Sequence, residues 1–262
     1  MKTGFMKHIT ELIRQSDLII EVLDARHPEK TRNITLEKMV EEKGKKLLMI
    51  MNKADLIEKK EAEEKKASLS GKIGEKVIFV SALEKDGINM IRREITQAQK
   101  EKWRTGKGNE FTIGIIGYPN VGKSTLINAL AGKGRGRVAT SKKAGLTRGI
   151  TRIKITEGIY LIDSPGIIPF KENEFDLFLV ESKNPNQLKD VETVATKLIQ
   201  QLGKEKIAKT YEIELEKIEG KDEEEILEEI AKKKNLLMKG GKGDQLKAAR
   251  ELLEKYQRHE IK

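Results

Sequence analysis

Eight consecutive residues, Gly117-Tyr118-Pro119-Asn120-Val121-Gly122-Lys123-Ser124, fit the pattern G-x-x-x-x-G-K-[ST] at every position. Such a run can hold a phosphate chain. Its glycines let successive backbone N–H groups curl around an anion, and a helix N-terminus behind them adds its positive end. An apolar run, Phe111 to Ile116, precedes it and a helix-forming run, Thr125 to Leu130, follows, which is the setting the motif needs. In this reading Pro119, Asn120, Val121, Gly122 and Thr125 surround the phosphates. Lys123 reaches the terminal ones, and the Ser124 hydroxyl is a ligand for Mg²⁺. The plain alternative is a glycine turn with no ligand.

A second set of residues can read a base. Asn52-Lys53-Ala54-Asp55 follows the apolar run Leu47 to Met51. A carboxylate at Asp55 can accept from both N1–H and the 2-amino group of guanine, a donor pair adenine lacks. The alternative for Asp55 is a helix N-cap. Ser81-Ala82-Leu83, at the end of another apolar run, fits an accessory loop whose backbone N–H meets guanine O6. Asp163-Ser164-Pro165-Gly166 has the form D-x-x-G. There Asp163 would hold Mg²⁺ through a water, and the Gly166 N–H would meet the γ-phosphate. Thr147 is the candidate threonine that closes on Mg²⁺, with Thr140 and Thr151 as competitors.

The elements that must position these residues are legible as well. Leu18 to Leu23, Leu47 to Met51, Lys76 to Val80 and Phe111 to Ile116 read as buried strands. Polar helical stretches, such as Glu58 to Ser68 and Gly87 to Lys100, separate them. Ile150 to Thr156 and Ile159 to Ile162 read as a hairpin turning at Glu157-Gly158. Strands alternating with helices imply an α/β fold with a mostly parallel sheet covered on both faces. Beyond Gly166 the pattern becomes helical. Leu188, Val191, Ala195, Leu198 and Leu202 form one stripe, Ile226 and Ile230 another, and Leu246, Ala249, Leu253 and Tyr256 a third behind Asp244 as N-cap. Tyr211 to Leu215 alternates and is open between strand and helix.

The order of the motifs is unusual. Base-reading residues come first and phosphate-holding residues follow, the reverse of a Ras-like GTPase. This arrangement resembles the circularly permuted GTPases of the YlqF/RbgA type, which take part in assembly of the large ribosomal subunit. Asp24-Ala25-Arg26-His27-Pro28 with Arg32-Asn33 is similar to that family's D-A-R-x-P…R-N stretch, and Ala144-Gly145-Leu146-Thr147 to its P-G-x-T, with Ala for Pro. Leu237-Met238-Lys239-Gly240-Gly241, Asp244 and Ala248-Ala249-Arg250 resemble its C-terminal RNA-contacting domain.

The resemblance implies a circularly permuted, Ras-like P-loop GTPase domain over residues 1–176 and a small helical domain over 177–262. It also implies a GTP/GDP switch with Mg²⁺, binding rRNA and the large ribosomal subunit or its precursor in the GTP state. Because the chain runs from Asp163 straight into the helical domain, a γ-phosphate contact at Gly166 would reorient that domain.

The catalytic set implied is Lys123, Thr147 and Gly166. Ile167 stands where many GTPases place a Gln that orients water, and an apolar side chain cannot do this. Asn120 matches the residue that holds K⁺ in potassium-activated relatives. The family's P-G-H-M histidine falls at or before Met1, so His8 is expected on the surface. Turnover alone is expected near roughly 10⁻⁴–10⁻³ s⁻¹, rising with the right partner. The alternative function is a GTP-sensing regulator with a protein partner and little turnover. An ATP-using enzyme is opposed by Asn52 and Asp55.

Composition sets the outer limits. The 262 residues carry a net charge of +10 and no Cys, which excludes disulfides and Cys-ligated metals, and three His make a His-based metal site unexpected. From Lys100 to Lys154 thirteen basic residues face only Glu101 and Glu110, a net +11, while the rest of the chain sums to −1. A polyanionic partner or a solvated basic surface would account for this equally well. No stretch has the length of a membrane span or a signal peptide, so the expectation is a cytoplasmic monomer with no membrane partner. The first strand begins so near Met1 that no OB-fold is expected before it.

Overall fold

The computed structural model describes residues 2–73, 76–106, 108–132, 151–163 and 173–261. By its contacts the chain divides into two units, Met1–Phe170 and Lys171–Lys262. The boundary expected from sequence, 176/177, falls inside a helix, Glu174–Leu179, whose Phe178 and Leu179 lie in the second unit's core.

In the first unit the elements run α1 (Lys2–Gln15), β1 (Leu18–Asp24), α2 (Pro28–Thr31), α3 (Ile34–Glu42), β2 (Lys46–Asn52), α4 (Lys59–Ile73), β3 (Lys76–Phe79), α5 (Ile88–Arg104), β4 (Phe111–Gly117), α6 (Lys123–Ala131), β5 (Thr151–Thr156) and β6 (Ile159–Asp163). The strands form one sheet in the order β3-β2-β1-β4-β6-β5. All neighbours are parallel except β5 against β6, the expected hairpin.

β1 and β4 are buried at every position, because helices cover both faces. On one face Ile9, Leu12 and Ile13 of α1 and Leu36 and Val40 of α3 pack on Ile19, Leu23, Met49 and Met51. Helix α1 has no counterpart in the sequence reading. On the other face Ile88, Ile91 and Ile95 of α5 and Leu126, Ile127 and Leu130 of α6 are buried, and these two helices touch.

The sheet order fixes where a ligand can sit. From β1 the chain moves outward to β2 and β3, then returns to β4 on β1's other side. In open parallel sheets the crevice outside the carboxyl ends at such a switch point receives ligands. Asp24 and Gly117 end the two strands there.

The second unit is helical among its described residues: α7 (Glu174–Leu179), α8 (Val191–Leu202), α9 (Lys204–Tyr211), α10 (Glu223–Lys233) and α11 (Gln245–Gln257). Tyr211 to Leu215 is no strand. Helix α9 ends at Tyr211, and Glu212 takes a left-handed conformation before a 3-10 turn, Leu215–Lys217. Asp244 caps α11, its side chain accepting from Lys247 N–H at 3.1 Å. The buried stripe of α11 is Ala248, Ala249, Leu252 and Leu253; Leu246, expected inside, is exposed.

Candidate functional site

The loop between β4 and α6 has the backbone of a phosphate cradle. Gly122 has φ +94°, and a Cβ there would lie 2.2 Å from Asn52 Nδ2. At Gly117 a Cβ would lie 2.5 Å from the Val22 carbonyl of β1. Neither position admits a side chain, so the loop is pressed against β1 and the end of β2. Asn120, at φ 61°, is exposed between the buried residues Pro119 and Val121. Gly122 caps α6 without a side chain, so no side chain competes for the helix's first N–H groups, those of Lys123, Ser124 and Thr125. Ser124 and Thr125 are half-buried.

Lys123 is buried, and its ammonium donates to the Gly117 carbonyl at 2.9 Å and the Tyr118 carbonyl at 2.6 Å. Burial pulls its pKa down to about 8, and the nearby Asp163 carboxylate opposes the fall. Asp163 ends β6 in register with Ile115 of β4, which brings a carboxylate to the rim of the same loop.

The residues expected to read a base arrive from the ends of β2 and β3. Asn52 is buried, and its side chain spans two loops. Oδ1 accepts from Ala82 N–H at 3.0 Å, and Nδ2 donates to the Val121 carbonyl at 2.8 Å. Lys53 adopts the left-handed conformation, φ 64°, and heads a 3-10 turn, Ala54–Leu56. Asp55 lies inside that turn and is exposed, so it is not an N-cap. Ser81 is buried, its Oγ accepting from Glu84 N–H at 3.2 Å, and Leu83 is 74% exposed.

Beneath Lys53 lies an ionic cluster to which the sequence reading assigns no role. Asp24, in register with Asn52, accepts from Arg26 Nη2 at 2.6 Å, Arg26 Nε at 2.9 Å and Arg26 N–H at 3.0 Å, and its Oδ2 is 2.9 Å from Lys53 Nζ. Burial pushes its pKa up, but the Arg26 hydrogen bonds and the Lys53 charge outweigh that and hold the carboxyl well below its usual range. The signal for this cluster is an acid ending a strand beside a strand that ends in Asn-Lys. A second buried acid, Glu21, accepts from Asn33 N–H at 2.8 Å. Burial, with the nearby Glu37 charge, pushes it up to about 8, while Glu37 itself takes a bidentate pair from Arg32 at 2.6 and 2.9 Å.

Thus Asn52, Lys53, Ser81, Ala82, the loop Gly117–Ser124 and Asp163 gather at the carboxyl ends of the strands. Thr147, Gly166, Ile167 and the competitor Thr140 lie outside the described residues. Thr151 begins β5. His8 is exposed, as expected. Among the described residues no helix is long and apolar enough to cross a membrane.

Comparison with known proteins gives the same picture. A family model described as 50S ribosome-binding GTPase matches residues 112–238, and one described as Ferrous iron transport protein B matches residues 8–95. The uncharacterized GTP-binding protein MJ1464 of Methanocaldococcus jannaschii is 37% identical, the match covering 98% of this chain and 65% of the relative. Nuclear/nucleolar GTPase 2 of Arabidopsis thaliana is 29% identical over 96% of this chain and 42% of its own length. Ribosome biogenesis GTPase A of Bacillus pumilus is 29% identical over 90% of this chain and 84% of its own. The chain therefore spans about two thirds of the archaeal relative and under half of the plant one. The solved GDP-bound structure of TM YlqF superposes with a TM-score of 0.61 at 23% identity, covering 97% of this chain and 95% of that one. With the Asn52 and Ser81 strand ends preceding the phosphate loop in the chain and meeting it in space, this chain is similar in motif order, in sequence and in fold to the circularly permuted GTPases of the YlqF/RbgA type.

Proposed function

We propose that the chain binds GTP, hydrolyses it to GDP and phosphate, and acts as a switch in assembly of the large ribosomal subunit. The observation that carries this is Asn52, whose one side chain ties the base-reading loop at Ala82 to the phosphate loop at Val121. Asp55, exposed beside it, accepts from guanine N1–H and the 2-amino group. The Ala82 N–H, now bonded to Asn52, is the donor for which guanine O6 competes. The backbone N–H groups from Asn120 to Thr125 surround the β-phosphate. Lys123 exchanges the Gly117 and Tyr118 carbonyls for phosphate oxygens, and Gly166 N–H meets the γ-phosphate.

The Ser124 hydroxyl and the Asp163 carboxylate are hard oxygen donors, few enough to leave room for waters and phosphates, which is the set Mg²⁺ takes; Thr147 completes it. When bound, the metal neutralises charge on the β- and γ-phosphate oxygens. Ile167 offers no group to orient the attacking water, so further positive charge at the phosphates must come from elsewhere. Asn120, exposed in the loop, is the residue that would hold K⁺ in that role. Removing its side chain abolishes any preference for K⁺ over Na⁺; a preference that survives removes the ion from the reading. The partners are rRNA and the large subunit or its precursor, and the γ-phosphate contact at Gly166 reports the nucleotide state to the helical unit.

The deciding experiment is GTP turnover in potassium buffer with and without large ribosomal subunits, repeated in sodium. Strong stimulation by the subunits is expected. Potassium-dependent turnover without stimulation would leave a GTPase with another partner, and absence of GTP binding would overturn the reading.

A further inference from the structure

We propose that the outward face of α5, carrying Arg93, Lys100 and Arg104, is a binding surface for the phosphate backbone of RNA. The proposal rests on the reading of a ribosomal partner and adds to it a surface outside the nucleotide site.

Helix α5 buries Ile88, Ile91 and Ile95 against the sheet, so residues half a turn away face solvent. At 3.6 residues per turn that outward strip holds Arg93, Gln97, Lys100 and Arg104, with Thr96 beside them, all exposed. The eleven steps from Arg93 to Arg104 span about 16 Å at 1.5 Å each. Their side chains line one open depression.

The helix carries two acids, and both pair with lysines beyond the strip; Glu101 nonetheless borders the depression and accepts from Gln97 Nε2 at 3.3 Å, beside Arg104. Glu94 pairs with Lys76 at 2.6 Å, and Glu101 pairs with Lys46, each lysine at the start of a neighbouring strand. The Lys46 hydrogen bond holds the Glu101 carboxyl below its usual range. On the opposite flank Arg92 donates to the Ala129 and Leu130 carbonyls at the end of α6, at 3.1 and 3.3 Å, which secures the helix without cancelling its charge. Lys102 is spent on Asp17 at 2.8 Å. Arg93, Lys100 and Arg104 make no hydrogen bond or ion pair with the described residues, so three cations stand in a row with amide and hydroxyl groups between them.

The composition of the strip selects the partner. A protein interface centres on buried aromatic and apolar side chains, and a membrane-bound helix needs an apolar face to insert. This face has no such patch: its exposed apolar side chains, Met90 and Trp103, stand singly towards opposite ends of the helix. Aligned cations interleaved with neutral hydrogen-bonding groups suit phosphates repeated along a strand, read without regard to sequence.

The test uses the full chain and a fluorescent 24-base-pair RNA duplex, with affinity measured from 50 to 300 mM KCl. Compared with wild type, the triple variant R93Q/K100Q/R104Q is expected to bind about tenfold or more weaker at 100 mM. Its log affinity against log salt should be shallower by about 2 to 3, roughly one unit for each phosphate that is no longer neutralised. The variant K43Q/K59Q/K60Q, with the same change in charge at exposed sites elsewhere, should bind like wild type. Binding of a fluorescent GDP analogue by both variants verifies their fold. Equal weakening in the two triples, or none in the first, overturns the surface, while stimulation of wild-type turnover by subunits would still uphold the ribosomal role. Disappearance of that stimulation in the first triple with RNA affinity intact also overturns it and assigns the strip to a ribosomal protein. A wild type that neither binds the duplex nor responds to subunits overturns both.

Discussion

Asn52 Nδ2 donates to the backbone carbonyl of Val121 at 2.8 Å, across 69 residues of chain, with both groups buried. The same amide accepts from Ala82 N–H at 3.0 Å through its oxygen. In a permuted chain the phosphate loop is not followed by the base-reading strands but preceded by them. One side chain therefore closes the gap that the chain order leaves open.

Replacing Asn52 by Asp turns the donor at Val121 into a carboxylate oxygen facing a carbonyl oxygen. An unmade buried hydrogen bond costs about 1–3 kcal/mol, more when a charge is left beside it. N52D is expected to lower the thermal midpoint and weaken GDP binding at least tenfold, read by a fluorescent GDP analogue. Gly122→Ala should do comparable damage, because its Cβ would fall 2.2 Å from Asn52 Nδ2 at φ +94°. Wild-type affinity in both variants would mean that the two loops do not depend on each other.

Asp55 should set base preference without setting stability, since it is exposed in its turn. Asp55→Asn keeps one acceptor and replaces the other with a donor, which suits xanthine, whose C2 carries oxygen. GDP affinity should fall about tenfold to hundredfold, as expected when hydrogen bonds to a charged group are removed. Xanthosine diphosphate affinity should rise, and the melting temperature should stay within a degree or two. Unchanged GDP binding would remove Asp55 from base recognition.

Lys123 carries a proton-linked signature. Without nucleotide its pKa is held down to about 8 by burial. Phosphates arriving at its ammonium raise that pKa, so above pH 8 binding must draw a proton from solvent. Calorimetry of GTP binding at pH 8.5, in buffers of different ionisation enthalpy, should show uptake of roughly half a proton or more. At pH 6.5 the lysine is already charged and its share should vanish. Equal proton uptake at both pH values would show that the phosphates do not engage this lysine.

Glu21 makes stability depend on pH. Its folded pKa, raised to about 8, stands above the unfolded value of 4.5, so its contribution is fully present below pH 4.5 and is lost as pH rises through about 8. Facing it are Glu37, Arg32 and the Asn33 N–H. Glu21→Gln keeps the acceptor for Asn33 and stays neutral. The variant should match wild type near pH 4.5 and melt several degrees higher at pH 8.5, a gap of up to a few kcal/mol. Parallel melting curves for the two proteins across that range would refute this.

The phosphate loop, the base-reading tetrapeptide and the alternation of strands and helices are written in local sequence, because each depends on residue types within one or two turns of chain. A G-x-x-x-x-G-K-S run after an apolar strand can be recognised without its partners. So can the reversed order of the motifs, which is a property of the chain alone. Helix α1 escaped because its buried Ile9, Leu12 and Ile13 are few among polar neighbours, and only the sheet they cover gives them meaning. Leu246 read as core because a helical stripe can be drawn one residue away from the true one, and packing alone chooses between them. The bridge from Asn52 to Val121, the clamp of Asp24 on Lys53 and the neutral state of Glu21 were decided by tertiary structure. The first two require strand ends far apart in sequence to meet, neighbouring strands lying about 5 Å apart, and the third sets Glu21 against Arg32, Asn33 and Glu37; all three depend on burial, which no single segment can supply.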